Sequence, residues 1–445
     1  MFTVLRSSWP LFLGLFMMMI GNGLQGTVLG LRGAMESFST STMSYVMACY
    51  FAGFLFASRI APRLIRNVGH VRVFAALGST ISAILILYPT LVDPWAWMLG
   101  RVVIGFCFCG VYITCESWLN DSATNETRGK ALSLYMIVQL AGIVAAQYIV
   151  LLGDVGGYVL FIIPSVLVSL AFAPILLSVG TVPAFQQTKP LPLGRLISAS
   201  PLAAVGMFLL GGVFAAQFGM AAVYGAEAGM SVPQISTMIS AIYIAALVLQ
   251  YPIGWASDRV DRRILIVAIS LIGGVLGLLG LFSGSYLCTL IAAAAIGGAS
   301  NPLYALLIAY ANDYLDRDDM AAASGGFLFV NGVGAVFGPI LVGFVMSTVG
   351  PGGYWVYMSL LLLALGAYGL WRMTQRSRPA MAEAESAPVP YTPVLASATS
   401  VAAEVAQEVY IEAEEELEGP ETSPDDPKSG SLPQDPPTID DRKAT

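Results

Sequence analysis

The side chains that carry most enzyme chemistry are nearly missing from this chain. It has a single histidine, His70, and five cysteines, Cys49, Cys107, Cys109, Cys115 and Cys288. A Ser–His relay or a histidine-rich metal centre needs several such groups to converge, and one histidine among loop arginines does not supply them. The cysteines all fall inside apolar runs without a Cys-x-x-Cys spacing, so they read as small packing residues. The pair Gly129-Lys130 lacks both the spacing and the following hydroxyl of a nucleotide-binding phosphate loop. No enzyme activity, cofactor, metal or nucleic-acid partner is expected.

The groups that remain are ionisable and amide side chains set inside apolar sequence. In a bilayer such groups are costly, and they face a cavity or a partner. Arg101 lies within the run 95–118. Its guanidinium either binds an anionic group or tunes a proton site, or else it locks helix packing through carbonyls and polar side chains. Glu116, near the other end of that run, is a carboxylate that burial could turn into a proton carrier. An ion pair with Arg63, Arg66 or Arg72 that closes a gate is the preferred expectation. Asp258, Arg259, Arg262 and Asp313 are further gate or coupling candidates, with Asp313 able to reach Arg259 or Arg262, against a reading of solvated loop charge. Candidates for a polar lining are Asn22, Gln25, Gln139, Gln147, Gln217, Asn301, Tyr304 and Asn331. The competing role of each is an interhelical hydrogen bond worth about 0.6 kcal/mol. Tyr50, Tyr112 and Tyr243 could add an aromatic lining, but packing is the preferred expectation.

These residues are carried by long apolar segments. The chain is 56% hydrophobic and 11% charged, with a mean hydropathy of +0.74; soluble chains carry about 25% charged residues. A membrane span takes roughly 20 apolar residues. Twelve segments qualify, at about 8–30, 41–61, 72–92, 95–118, 131–152, 157–179, 200–223, 233–253, 264–283, 287–311, 320–348 and 353–373. With the N-terminus inside, alternate loops hold Arg63, Arg66, Arg72, Arg128, Lys130, Lys189, Arg195, Arg259, Arg262, Arg263 and Arg317, whereas the opposite loops hold only Arg32. Basic loops stay in the cytoplasm, so both termini are expected there, in a bacterial inner (plasma) membrane.

The chain also matches itself at one shift. Gln25 pairs with Gln217 (217 − 25 = 192), and the same shift pairs Ser39 with Ser231, Gly105 with Gly297, Tyr112 with Tyr304, Asn120-Asp121 with Asn312-Asp313 and Gln139 with Asn331. Two parallel six-helix halves with a site near the membrane midplane follow, an architecture of secondary transporters. The expected organisation is a first half over 1–180, a cytoplasmic linker over 181–200, a second half over 201–373, and a disordered acidic tail over 374–445. The tail composition favours a solvated chain. Val401 to Leu417 is rich in Ala and Glu with apolar residues near helical spacing, which allows a transient helix, and regulatory partner binding is the alternative reading.

The loop Gly254-Trp255-Ala256-Ser257-Asp258-Arg259-Val260-Asp261-Arg262-Arg263 resembles the G-x-L-A-D-R-x-G-R-R signature of the major facilitator superfamily, with Asp261 in place of its Gly. In the matching first-half loop, Pro62 to Arg72, Arg66 stands where the acid is expected. Arg101 to Gly105 and Gly334 to Pro339 are similar to its helix-four and Gly-Pro helix patterns. Gly21-Asn22-Gly23-Leu24-Gln25-Gly26, Glu116-Ser117-Trp118-Leu119-Asn120 and Leu303-Tyr304 look like the YcaD-like bacterial branch. The resemblance implies an all-α polytopic membrane protein of major facilitator fold, with Gln25 and Gln217 on cavity-lining helices. It implies a monomeric secondary transporter moving a small organic solute by alternating access, coupled to protons or ions. A solute sensor or scaffold on the same fold is the alternative.

Overall fold

The computed structural model describes residues 2–122, 125–177, 193–282, 285–315, 317–375, 399, 401–402 and 405–409. Among these residues every regular element is helical. In hydrocarbon, a lone segment satisfies its backbone N–H and C=O groups only by coiling on itself. The first six spans are α1 (Phe2–Met35), α2 (Thr40–Val68), α3 (His70–Leu87), α4 (Pro94–Ser122), α5 (Asn125–Ile149) and α6 (Val159–Leu177). The second six are α7 (Pro201–Glu227), α8 (Val232–Ser257), α9 (Arg262–Leu281), α10 (Tyr286–Asn312), α11 (Arg317–Val349) and α12 (Gly353–Gln375). Eleven are long and apolar enough to cross a membrane, and the apolar stretch of α6, Val159–Pro174, is shorter. Large apolar side chains such as Phe56, Trp95, Leu99, Tyr251 and Phe344 point outward, as a lipid-facing girdle requires.

Local sequence sets the helix starts. Asp93 Oδ1 accepts from the backbone N–H groups of Trp95 and Ala96 at 2.9 and 3.1 Å. With Pro94 as the first helical residue, this corner separates α3 from α4. Ser39 Oγ accepts from Thr42 N at 3.1 Å to start α2. Ser231, its repeat partner, starts α8 with Gln234 Oε1 accepting from Ser231 N at 2.9 Å. Asp261 caps α9 by accepting from Arg263 N at 2.9 Å.

The repeat seen in sequence recurs as geometry. A β-carbon on Gly105 would lie 1.9 Å from the Tyr50 carbonyl oxygen, and one on Gly297 would lie 2.2 Å from that of Ile242. Tyr50 and Ile242 are themselves one repeat apart (242 − 50 = 192). Each half therefore packs its fourth helix against its second through a contact that only glycine admits.

The halves meet along α1 with α7, α2 with α11 and α5 with α8. At the end away from the arginine-bearing loops the seam is tight. A β-carbon on Gly30 would meet Ala222 Cβ at 2.9 Å, and one on Gly343 would meet Ser44 Cβ at 2.3 Å. Thr40 Oγ1 donates to Glu227 Oε1 across the same seam.

Most of the linker and of the chain beyond Gln375 lies outside the described residues. The linker ends in a short helix, Leu193–Ala199, whose Leu196 is buried. The tail differs from the expected solvated chain where it is described. Thr399, Ala402, Val405, Ala406 and Gln407 are buried, and Val401–Ala402 and Val405–Val409 are helical. The physical reason is a supply of buried polar groups at the arginine-bearing end that this segment satisfies.

Candidate functional site

A cavity lies on the seam between the halves, with about 680 Å³ of space free of protein atoms, part of it open to solvent. The first half contributes Asn22 of α1, Tyr50 and Phe54 of α2, Tyr112 of α4 and Gln139 of α5; the second contributes Phe214 and Phe218 of α7 and Asn331 of α11. The wall is aromatic with amide groups set into it, and among the described residues its lining holds no carboxylate, ammonium or guanidinium. Tyr50 and Phe218 bring their rings to 5.4 Å across the seam. Toward the arginine-bearing end, Arg59 of α2 lies over the Phe329 ring of α11 at 4.2 Å.

A chain of hydrogen bonds fixes the first-half wall. Asn22 Nδ2 donates to the Tyr112 hydroxyl at 2.7 Å and to the Tyr50 hydroxyl at 3.3 Å. Gln25 Nε2 donates to Asn22 Oδ1 at 3.1 Å. Arg101 Nη1 donates to Gln25 Oε1 at 2.7 Å, Nη2 reaches Met47 Sδ at 3.3 Å, and the guanidinium sits 4.8 Å from the Tyr50 ring centre. Arg101 is fully buried at 0% exposure and lies outside the lining. It acts on the cavity through Gln25, Asn22 and Tyr50 and does not reach the space itself.

Of the lining candidates, the structure brings Asn22, Gln139 and Asn331 together at the cavity. Asn331 Nδ2 also donates to the Met207 carbonyl at 3.0 Å, tying α11 to α7. The others are buried elsewhere. Gln147 Oε1 accepts from Thr27 Oγ1 at 3.1 Å. Gln217 Nε2 donates to Ser300 Oγ at 2.9 Å, and Asn301 Nδ2 bonds to Gly297 of its own helix at 3.2 Å. Tyr304 is buried in the core. Gln217 sits on a π turn, Ala216–Met220, inside α7. The phenylalanines of the wall, Phe54, Phe214 and Phe218, and Arg59 escape the sequence reading. Tyr50 and Tyr112 take the lining role that the sequence left second to packing, and Arg59 gives only the faint signal of a charge inside the run 41–61.

The gate candidates divide. Arg63, Arg66 and Arg72 are exposed, and the expected ion pair between them and Glu116 is replaced by hydrogen bonds. Glu116 is buried and accepts from the Tyr135 hydroxyl at 2.7 Å. It also accepts from Thr399 N at 3.3 Å and Ala402 N at 3.2 Å, and from the Thr399 hydroxyl. The physical reason is reach: the arginines point to solvent, while the returning tail supplies donors directly over the carboxylate. Asp313 forms an ion pair with Arg262, whose Nη1 also donates to the Ala309 carbonyl at 3.3 Å. This ties α9 to α10 within one half. Arg259 folds back over Trp255, 4.2 Å from its ring centre, and donates to the Trp255 carbonyl at 3.0 Å. Asp258 is half-buried at the end of α8.

Comparison with known proteins follows the same lines. The uncharacterized MFS-type transporter YcaD of Salmonella paratyphi A is 24% identical over 352 residues, covering 78% of this chain and 91% of the relative. An uncharacterized MFS-type transporter of Yersinia pestis is 26% identical over 346 residues, covering 76% and 88%. In fold, a mutant form of the nucleoside transporter NupG superposes with a TM-score of 0.72 at 15% identity, over 82% of this chain and 99% of that one. A variant of the E. coli fucose:proton symporter FucP gives 0.54 at 15% identity, over 83% and 99%. The sequence profile of the Major Facilitator Superfamily matches residues 11–227 and again 202–406. The chain is a multi-pass membrane transporter protein of the Major Facilitator Superfamily, in its YcaD-like bacterial branch.

Proposed function

We propose that this protein is a secondary active transporter that carries a small, uncharged organic solute with an aromatic or otherwise planar face. The supporting observation is the seam cavity. It is built from both halves, carries no formal charge, and combines aromatic faces with the amides Asn22, Gln139 and Asn331. Aromatic walls gain most from flat apolar surface, and three amides select a few hydrogen-bonding groups on its edge. An ionic solute would enter this space without a counter-charge, at a cost that argues against it. The seam closed by small residues at one end, with the cavity behind it, fits one station of an alternating-access cycle. The excess of Arg in alternate loops supports a cytoplasmic arginine-bearing end, and the reading takes the membrane to be the inner (plasma) membrane. Coupling to a proton or ion is part of this reading, with Glu116, a buried carboxylate of α4, as the candidate carrier.

The test is thermal stabilisation of the purified protein in detergent across nucleosides, sugars, carboxylates, amino acids and amphiphilic drugs. A ligand of the folded state raises its stability by RT ln(1 + [L]/Kd). Uncharged planar solutes such as nucleosides are expected to shift the midpoint, and that shift is expected to shrink in Asn22→Leu. A shift from carboxylates alone would overturn the uncharged-solute reading. Uptake of the best ligand into proteoliposomes then separates a carrier from a sensor.

A further inference from the structure

We propose that the arginine-bearing mouth of the bundle is a docking site for this chain's own tail, occupied by Thr399, Val401–Ala402 and Val405–Val409, which straps the two halves together there. The assignment of that mouth to the cytoplasm and to a transport cycle rests on the function proposed above; the docking does not.

The site is built around Glu116. A buried carboxylate needs donors or a cation, and α5 supplies one donor, Tyr135, at 2.7 Å. The tail supplies the rest: the Thr399 hydroxyl, Thr399 N at 3.3 Å and Ala402 N at 3.2 Å. Charge-assisted bonds of this kind are roughly twice as strong as neutral ones. A second tether is ionic, with Arg128 Nη1 of α5 2.9 Å from Glu408 Oε2. A third crosses to the other half, where Gln407 Nε2 donates to Asn312 Oδ1 of α10 at 3.3 Å. Between these tethers the small apolar Ala402, Val405 and Ala406 are buried.

The repeat explains the location. Asn120 and Asn312 are equivalent residues at the mouth ends of α4 and α10 (312 − 120 = 192). Asn312 holds Gln407, and Asn120 lines the small space between Ala402, Val405 and the first half. The tail thus lies between matching corners of the two halves. A segment bonded to both restrains their separation at this end, so the halves can part or close there only after it leaves.

Two readouts test this without any substrate, in the full-length chain with its five native cysteines replaced. The first is the rate at which a water-soluble maleimide alkylates Leu119→Cys, a position under the strap and 4% exposed. Thr399→Asp sets a second negative charge against Glu116 and removes the hydroxyl donor. It is expected to raise the rate roughly tenfold, the scale of losing a hydrogen bond to a charged group, while Thr399→Ser keeps the parent rate. Equal rates in Thr399→Asp and the parent would overturn the proposal. The second readout stands if Thr399→Asp fails to fold. A β-carbon on Gly129 would lie 3.4 Å from Val409 Cγ1, so Gly129→Cys with Val409→Cys is expected to close a disulfide under mild oxidation. A pair that stays reduced would equally overturn the docking. Loss of transport with both readouts intact would count against the transport reading alone.

Discussion

Arg101 Nη1 and Gln25 Oε1 meet at 2.7 Å in the core of the first half, and through this bond a fully buried cation braces a cavity wall that carries no charge itself. Lysine cannot reproduce the arrangement. Its ammonium is a point charge, whereas the guanidinium bonds Gln25 and Met47 while stacking over Tyr50. Arg101→Lys is expected to lose about 2 kcal/mol of stability, the scale of one hydrogen bond to a charged group. It should also weaken ligand binding, because Gln25 and Asn22 lose their anchor. Heat unfolding in detergent, with and without ligand, checks both. An unchanged midpoint in Arg101→Lys would remove Arg101 from the bracing role.

The cavity separates two groups of buried amides that look alike in sequence. Gln139→Ala, at the cavity, is expected to weaken ligand affinity about tenfold, the scale of one hydrogen bond at a desolvated site. Gln147→Ala, bonded to Thr27 away from the cavity, is expected to leave affinity unchanged. Titrating the ligand-induced thermal shift in both variants compares them directly. Equal losses would show that the effect travels through packing and not through contact.

Glycines at the repeat contacts should be far less replaceable than a helical glycine that faces open space. Gly105→Ala places a methyl group 1.9 Å from the Tyr50 carbonyl oxygen, so α2 and α4 must separate, at about 1–3 kcal/mol or more. Gly297→Ala meets the Ile242 carbonyl in the same way. Gly325→Ala has open space around it, and helix propensity alone predicts a gain of up to about 1 kcal/mol. The yield of monodisperse protein and its unfolding midpoint should rank Gly325→Ala above the other two.

The Arg262–Asp313 pair joins α9 to α10 inside one half, so it should act as a brace more than as a gate. Asp313 keeps 27% of its side chain exposed, and solvent screening holds such a pair to about 1 kcal/mol or less. A double-mutant cycle with Arg262→Met and Asp313→Asn is expected to show that modest coupling in thermal stability. Maleimide access to Leu119→Cys should stay at the parent rate in all three variants. Faster labelling in Asp313→Asn would restore the gate reading.

The spans and the repeat were legible because both rest on composition and spacing. Apolar runs of bilayer length have one backbone solution, and the Asn120-Asp121 and Asn312-Asp313 pairs stand out in apolar sequence. The cavity was legible only in part. An amide inside a span signals a buried partner, but not whether that partner is a solute or a neighbouring helix. Gln25 and Gln217 therefore read as lining, although each is spent on another side chain. Tyr50 and Tyr112 read as packing more readily than as lining because a ring facing a cavity and a ring facing a helix follow the same apolar spacing. Glu116 was misassigned for a different reason. Besides Tyr135, its donors arrive from Thr399 and Ala402, more than 280 residues onward, in a tail whose polar, acidic composition signals solvent. Nothing local in that segment marks the one carboxylate it covers.

The π turn at Ala216–Met220 has a consequence for how the tight seam could yield. A helix carrying one residue more than an α-turn holds can pass that excess along by exchanging a single backbone hydrogen bond. Each residue that the excess passes is carried about 100° around the helix axis, while the residues beyond it keep their place. Ala222, which faces Gly30, and Glu227, which bonds Thr40, both lie just beyond the turn. Migration of the turn past Ala222 and Glu227 would swing both contacts off the seam while α7 below Ala215 kept its packing. The far seam would then open as a screw thread backs off, by rotation of one short segment, with no need to pull two whole bundles apart at once.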